Sequence, residues 1–197
     1  MKHVLLIRHT ESTANVGCKT STPQDIELTD TGHKQAFALA NDIHQKPDLI
    51  VTSPYIRTLQ TASPLITRFP DTPHEQWAVQ EFTYLSPIRC HNTTTEQRVL
   101  LAMEYWNRFD PYYRDGDGAE SFADFIGRVQ SARIKIQQRP EEVIILFSHC
   151  LFINALQWVK GQSITQMITS KYMECFRQYL FTNTINNGQV INYTMSD

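Results

Sequence analysis

Short apolar runs alternate with helix-length amphipathic stretches along this chain, and no other sequence feature restricts the fold more. Residues 4–7 form a continuous apolar run that reads as a strand buried on both faces. Residues 48–52 form a second run; Trp77, Val79 and Phe82 suggest a third strand; residues 142–147 are the most apolar run. Helix signals lie between them. Thr29 suits an N-cap, Asp30 suits the positive end of a helix dipole, and Ala36, Phe37, Ala40 and Ile43 form an apolar stripe that stops before Pro47. Ser53-Pro54 predicts a cap followed by a first-turn proline, with Ile56, Leu59 and Ala62 on the apolar face and Pro64 as an interruption. Thr93 with Glu96 matches a capping box ahead of Val99, Leu100, Met103, Trp106 and Phe109 at helical spacing.

Ser121 with Asp124 opens a further helix to about residue 138. Gly127 inside it should cost about 1 kcal/mol relative to alanine, which implies a packing reason for it. A helix is expected over 151–160, ending at Gly161, and a short one over 163–170. Residues 174–195 read as two strands joined at Asn187-Gly188. This order predicts a three-layer α/β/α sandwich with a mainly parallel central sheet and a C-terminal β-hairpin.

At 197 residues the chain is expected to form one domain, 1–197. Within it, residues 82–119 form a cap-like insertion over the site, carrying Tyr84, Trp106, Tyr112 and Tyr113. A net charge of -2 without a basic run argues against nucleic acid as a partner. No apolar stretch approaches the roughly 20 residues of a membrane span. The first apolar run is cut at Arg8, which argues against a signal peptide. Cys18, Cys90, Cys150 and Cys175 contain no CxxC pair, so neither a zinc site nor a disulfide framework is indicated. Reduced thiols in a cytoplasmic protein are the expectation. The sequence is silent on oligomeric state.

The strand ends share one kind of chemistry. Arg8 and His9 follow the first run, and Arg57 falls in the first turn of the helix after the second. Glu81 lies near the end of the third, and His149 follows the fourth. Parallel strands with right-handed crossovers put their carboxyl ends on one edge, where α/β folds bind ligands. Two arginines, two histidines, a carboxylate and helix N-termini on one edge suit a phosphate. Taken singly, Arg57 could be a solvated helix arginine, His149 a capping residue and Glu81 a surface charge. Their joint placement argues against coincidence.

Residues 6–12 (LIRHTES) with Asn15 resemble the Arg-His-Gly opening of the histidine phosphatase superfamily, the phosphoglycerate-mutase-like proteins, branch 1. Residues 28–32 (LTDTG) through Gln35-Ala36 resemble the family's next helix start, and residues 53–62 (SPYIRTLQTA) its second arginine motif. Glu120-Ser121-Phe122 and Ser148-His149-Cys150 are similar to its late elements. Thr10 and Cys150 stand where the family usually has glycine.

The resemblance implies a phosphomonoester hydrolase with no cofactor and no metal, acting on a small phosphorylated substrate. His9 would be the nucleophile that becomes phosphohistidine. Arg8, Arg57 and His149 would hold the phosphoryl oxygens, with Asn15 adding a polar contact. Glu81 would be the general acid and then the base, with Glu75, Glu120 and Asp117 as alternatives. A phosphoglycerate-type mutase is the second enzymatic reading, although the interval between Arg57 and Glu120 looks short for a mutase cap. A non-catalytic phospho-ligand-binding regulator is the third. None of Arg8, His9, Arg57 and His149 is lost, which speaks against it.

Overall fold

The computed structural model describes residues 2–163 and 167–194. Its sheet is built from β1 (His3–Arg8), β2 (Leu49–Thr52), β3 (His74–Gln76), β4 (Val143–Ser148) and β5 (Val190–Thr194), in the order β3-β2-β4-β1-β5. The first four run parallel, with Val51 opposite Leu146 and Leu6 opposite Leu146 in register, while β5 adds antiparallel to β1. The carboxyl ends of β1, β2, β3 and β4 therefore share one edge.

Successive strand residues point to opposite faces, and here both faces are apolar because both are covered. Ile7, Ile50, Ile145 and Phe147 pack on Ala40 and Ile43, at the end of α1 (Asp30–Asp42), and on Ala62 and Leu65 of α2 (Ile56–Arg68). Past β3 lie two short helices, α3 (Pro87–Cys90) and α4 (Val99–Asn107). On the other face Val4, Leu6, Leu49, Val51, Ile144 and Leu146 join the core of α5 (Phe122–Gln138), α6 (Cys150–Trp158) and α7 (Ser170–Thr182). The result is a three-layer α/β sandwich with a mostly parallel sheet.

Two helix starts follow from local chemistry. Thr29 Oγ1 accepts from the Gly32 amide at 3.0 Å and donates to Glu11 Oε1 at 2.6 Å. A Cβ on Gly32 would stand 2.0 Å from the Glu11 carbonyl oxygen, so only glycine lets α1 approach the loop after β1 this closely. Ser121 Oγ accepts from the Asp124 amide at 3.2 Å and caps α5.

Several expectations are corrected. The third strand is His74–Gln76, and Trp77, Val79 and Phe82 lie beyond it. The reason is that β2 ends at Thr52, whose carbonyl takes the Trp77 amide at 2.9 Å and leaves no ladder further on. The three apolar side chains are still core. Helix α2 begins after Tyr55 rather than at Ser53-Pro54, and it runs through Pro64, since burial of Ala62 and Leu65 outweighs one missing N–H. The capping pair before α4 is Thr94 with Gln97: Thr94 Oγ1 accepts from the Gln97 amide and Gln97 Oε1 from the Thr94 amide. Val99, Leu100 and Met103 are exposed, because α4 turns Tyr105 inward instead. Phe37 is likewise exposed, and nothing lies within 4 Å of a Cβ on Gly127, so no packing reason holds that glycine.

The C-terminal β-hairpin is replaced by a helix and a single strand. Tyr172, Met173 and Phe176 recur at helical spacing and bury together, Thr169 caps α7, and Asn187-Gly188 turns the chain into β5. The short helix expected over 163–170 falls partly outside the described residues, and 167–169 are not helical. Among the described residues no helix is long and apolar enough to cross a membrane, and the four cysteines are unpaired.

Candidate active site

A cavity of about 380 Å³ opens at the carboxyl edge of the sheet. Arg8, His9, Asn15, Arg57 and Glu81 all line it, although they come from three separate stretches of chain. Its outer wall comes from the segment after Glu81, through Phe82, Tyr84, Pro87 and Val99.

His9 follows β1, is buried, and places Nδ1 2.7 Å from the Thr10 carbonyl oxygen. That carbonyl can only accept, so Nδ1 carries the proton and Nε2 of the neutral ring carries a lone pair. Burial holds His9 well below its usual pKa, and Arg57 and Arg8 push the same way, against the Thr10 carbonyl. A neutral imidazole between two guanidinium groups is a competent nucleophile for an anionic ligand.

Both arginines are oriented by main-chain acceptors. Arg8 donates to the Ile185 carbonyl at 2.6 Å, and its Nε is buried without a partner among the described residues. Arg57 donates to the Pro23 carbonyl at 2.6 Å and stacks on Tyr55, 4.9 Å from the ring centroid. Burial lowers the Arg57 pKa to about 10, with Glu81 opposing, so it stays charged at neutral pH.

His149 is fully buried and stands behind His9, their ring centroids 5.3 Å apart, rather than on the cavity wall. Its Nε2 meets Ser53 Oγ at 2.7 Å, and its Nδ1 is buried without a partner among the described residues. Burial, then Arg57 and His9, hold it neutral. The Oδ1 of Asn15 accepts from Ser12 and Asn187, which leaves its amide nitrogen to face the cavity.

Glu81 sits over the start of α6. Its Oε1 accepts from the amides of Phe82 at 3.1 Å, Leu151 at 3.0 Å and Phe152 at 3.3 Å. Burial raises its pKa, and these amides with Arg57 and Arg8 act against that rise. The other three carboxylates lie elsewhere. Glu120 is held by Arg128 through two hydrogen bonds, of 2.9 and 2.7 Å. Glu75 pairs with Arg139, and Asp117 is exposed off the cavity wall.

Sequence reasoning missed the residues that hold these groups in place. Arg128 also donates to the Ala78 and Gln80 carbonyls, which pins the approach to Glu81. Asn187 donates to the carbonyls of His9 and Thr10, so the predicted hairpin turn is a clamp on the loop that carries His9. Neither carries a local signal. Ser53 could have been found, since it opens the second arginine stretch. Thr10 and Cys150 both stand back from the cavity wall; the Thr10 amide and hydroxyl go to Thr61 Oγ1, at 3.2 and 3.3 Å. Among the described residues no group of three or more His, Cys, Asp or Glu is placed to hold a metal ion.

Comparison with known proteins gives the family and the fold. The profile of the histidine phosphatase superfamily (branch 1) matches residues 4–174. No curated protein sequence matches the chain. Among solved structures, a mycobacterial glucosyl-3-phosphoglycerate phosphatase in complex with VO3 is similar at 22% identity and a TM-score of 0.71, covering 96% of this chain and 90% of that one. A phosphoserine phosphatase from Entamoeba histolytica, in complex with 3-phosphoglyceric acid, is similar at 21% identity and a TM-score of 0.70, covering 96% and 89%.

Proposed function

The chain belongs to the histidine phosphatase superfamily (branch 1), and from that premise we propose that it hydrolyses phosphomonoesters through a phosphohistidine on His9. The observation that carries this reading is the neutral His9, its Nδ1 committed to Thr10 and its Nε2 left basic beside Arg8 and Arg57. Nε2 attacks phosphorus and the P–O bond to the alcohol breaks. Glu81, whose pKa burial raises, gives its proton to the departing oxygen. The Glu81 carboxylate then takes a proton from water as the water oxygen attacks phosphorus; the P–N bond breaks, His9 leaves as the neutral ring and phosphate is released. Arg8 and Arg57 neutralise the phosphoryl oxygens as charge develops. Asn15 offers them its amide nitrogen, and His149, expected from the sequence to bind phosphate, instead backs the His9 ring from behind the cavity wall.

The two arginines supply the charge that a metal ion would otherwise bring, so turnover should survive exhaustive EDTA treatment. Residues 82–119 act as a cap that selects the alcohol portion of a small substrate. The phosphatase descriptions of the two similar structures support this chemistry. The unpaired cysteines favour a reducing, cytoplasmic setting.

The test is trapping. Rapid quenching with a ³²P-labelled aryl phosphate should leave acid-labile label on the peptide containing His9, and His9→Ala should abolish both label and turnover while melting normally. Turnover by a folded His9→Ala variant would overturn the assignment.

A further inference from the structure

The cavity is longer than a phosphoryl site. From Arg8 and Arg57 it extends along a largely apolar wall that includes Phe82, Tyr84, Pro87 and Val99, and Arg98 stands on that outer wall. Other arginines of the segment are engaged: Arg89 pairs with Asp115, Arg114 with Asp124, and Arg108 stacks on Tyr113. Arg98 is half-buried and has no carboxylate partner among the described residues. Its guanidinium meets neutral groups: the hydroxyls of Thr20 at 3.3 Å and Thr95 at 3.4 Å, both at the long end of hydrogen bonding, and the Cys90 thiol.

Its segment is tied to the loop that follows His9. The Thr20 amide donates to the Thr93 carbonyl at 3.1 Å and the Asn92 amide to the Thr20 carbonyl at 2.8 Å, which stitches the loop after His9 to the segment leading into α4. Arg98 spans that seam. Glu81 is the only carboxylate on the described cavity wall, and it lies at the phosphoryl end. The outer end is therefore a cation beside apolar surface, with no anion of the protein to satisfy it.

We propose that Arg98 binds a second anionic group on the substrate, so that the preferred substrates are phosphomonoesters whose alcohol carries both an apolar body and its own carboxylate or phosphate. This deepens the phosphatase reading and rests on it. The apolar wall takes the body, and the half-buried guanidinium takes the anion in a charge-assisted hydrogen bond.

The experiment uses phenyl phosphates carrying a carboxylate on arms of increasing length, each matched with its neutral amide, and a phenylene bisphosphate as the second anion source. Wild type should hydrolyse the best-fitting carboxylate or bisphosphate with kcat/KM about tenfold or more above the amide, as expected for a charge-assisted bond. Arg98→Gln should erase that ratio while the amides are hydrolysed at nearly the wild-type rate, and Arg98→Lys should restore part of it. The proposal is overturned if wild type shows no preference for the anion, or if Arg98→Gln keeps the preference. It is equally overturned if Arg98→Gln lowers both members of each pair alike, which is what a purely structural seam would do. Calorimetric titration with the same ligand pairs reads the Arg98 preference without turnover. An absence of hydrolysis thus counts against the phosphatase reading alone, and a lack of binding preference against Arg98.

Discussion

The Nδ1 of His9 donates to the carbonyl oxygen of Thr10 at 2.7 Å, and this one bond decides which nitrogen of the ring can act. Asn187 donates to the same Thr10 carbonyl at 3.2 Å and to the His9 carbonyl at 3.0 Å, so the far end of the chain holds the acceptor in place.

A pH dependence follows. His9 and His149 are both held well below the usual 6.5, chiefly by burial. The acidic limb of kcat/KM should therefore lie well below pH 6.5, since the nucleophile stays neutral until then. Stability should respond at a different pH. Between the folded-state pKa and 6.5 the unfolded chain binds more protons, so stability is full above 6.5 and declines as pH falls below it. Melting of wild type and His9→Asn from pH 7.5 to 5 should show a steeper loss in wild type. Parallel curves would remove His9 as a source of that loss.

Glu81→Gln should discriminate between leaving groups. An alkyl phosphate leaves as a basic alkoxide and needs a proton, so its kcat/KM should drop by about 10²–10⁴-fold, whereas nitrophenyl phosphate should change little. Glu120→Gln and Glu75→Gln, whose carboxylates sit in ion pairs away from the cavity, should lack this dependence. A control that reproduces it while Glu81→Gln does not would move the acid.

Arg128→Ala removes a paired hydrogen bond to Glu120 and the donors to the Ala78 and Gln80 carbonyls. The expected cost is about 1 kcal/mol in chemical denaturation, because the Glu120 carboxylate and two partly solvated carbonyls lose their donor. Activity on alkyl phosphates should fall more than on nitrophenyl phosphate, since Glu81 loses its fixed approach. Equal losses on both would make Arg128 structural only.

Gly127→Ala should stabilise the protein by about 0.5–1 kcal/mol, raising Tm by roughly 2–4 °C. Position 127 is exposed inside α5, and an added Cβ meets nothing within 4 Å. A lower Tm would point to a contact made only in solution.

Much of the fold was legible because its signals are local. The runs that became β1, β2 and β4 are continuous and apolar, and Thr29 and Ser121 announce their helices within four residues. Where the surroundings outweigh local pattern, the sequence misled. The stripe Val99, Leu100, Met103 has core periodicity, yet α4 buries Tyr105 and leaves the stripe exposed. Asn187-Gly188 has hairpin chemistry, yet the apolar spacing of Tyr172, Met173 and Phe176 turned the preceding arm into a helix.

The site divides in the same way. By itself the sequence determined Arg8, His9, Arg57 and His149 as candidates, because each sits within a residue or two of a strand end or in the first turn of the following helix, a relation measured along the chain. Only the tertiary structure decided which of four carboxylates reaches the cavity, that His149 stands behind His9, and that Arg98 has no carboxylate partner. Those outcomes depend on residues brought together from distant parts of the chain, such as Glu81 with Leu151 and Asn187 with His9. Spacing along a strand or helix encodes which way a side chain points. Which partner it meets there depends on how the layers close, and that geometry exists only once the sheet and its helices have packed.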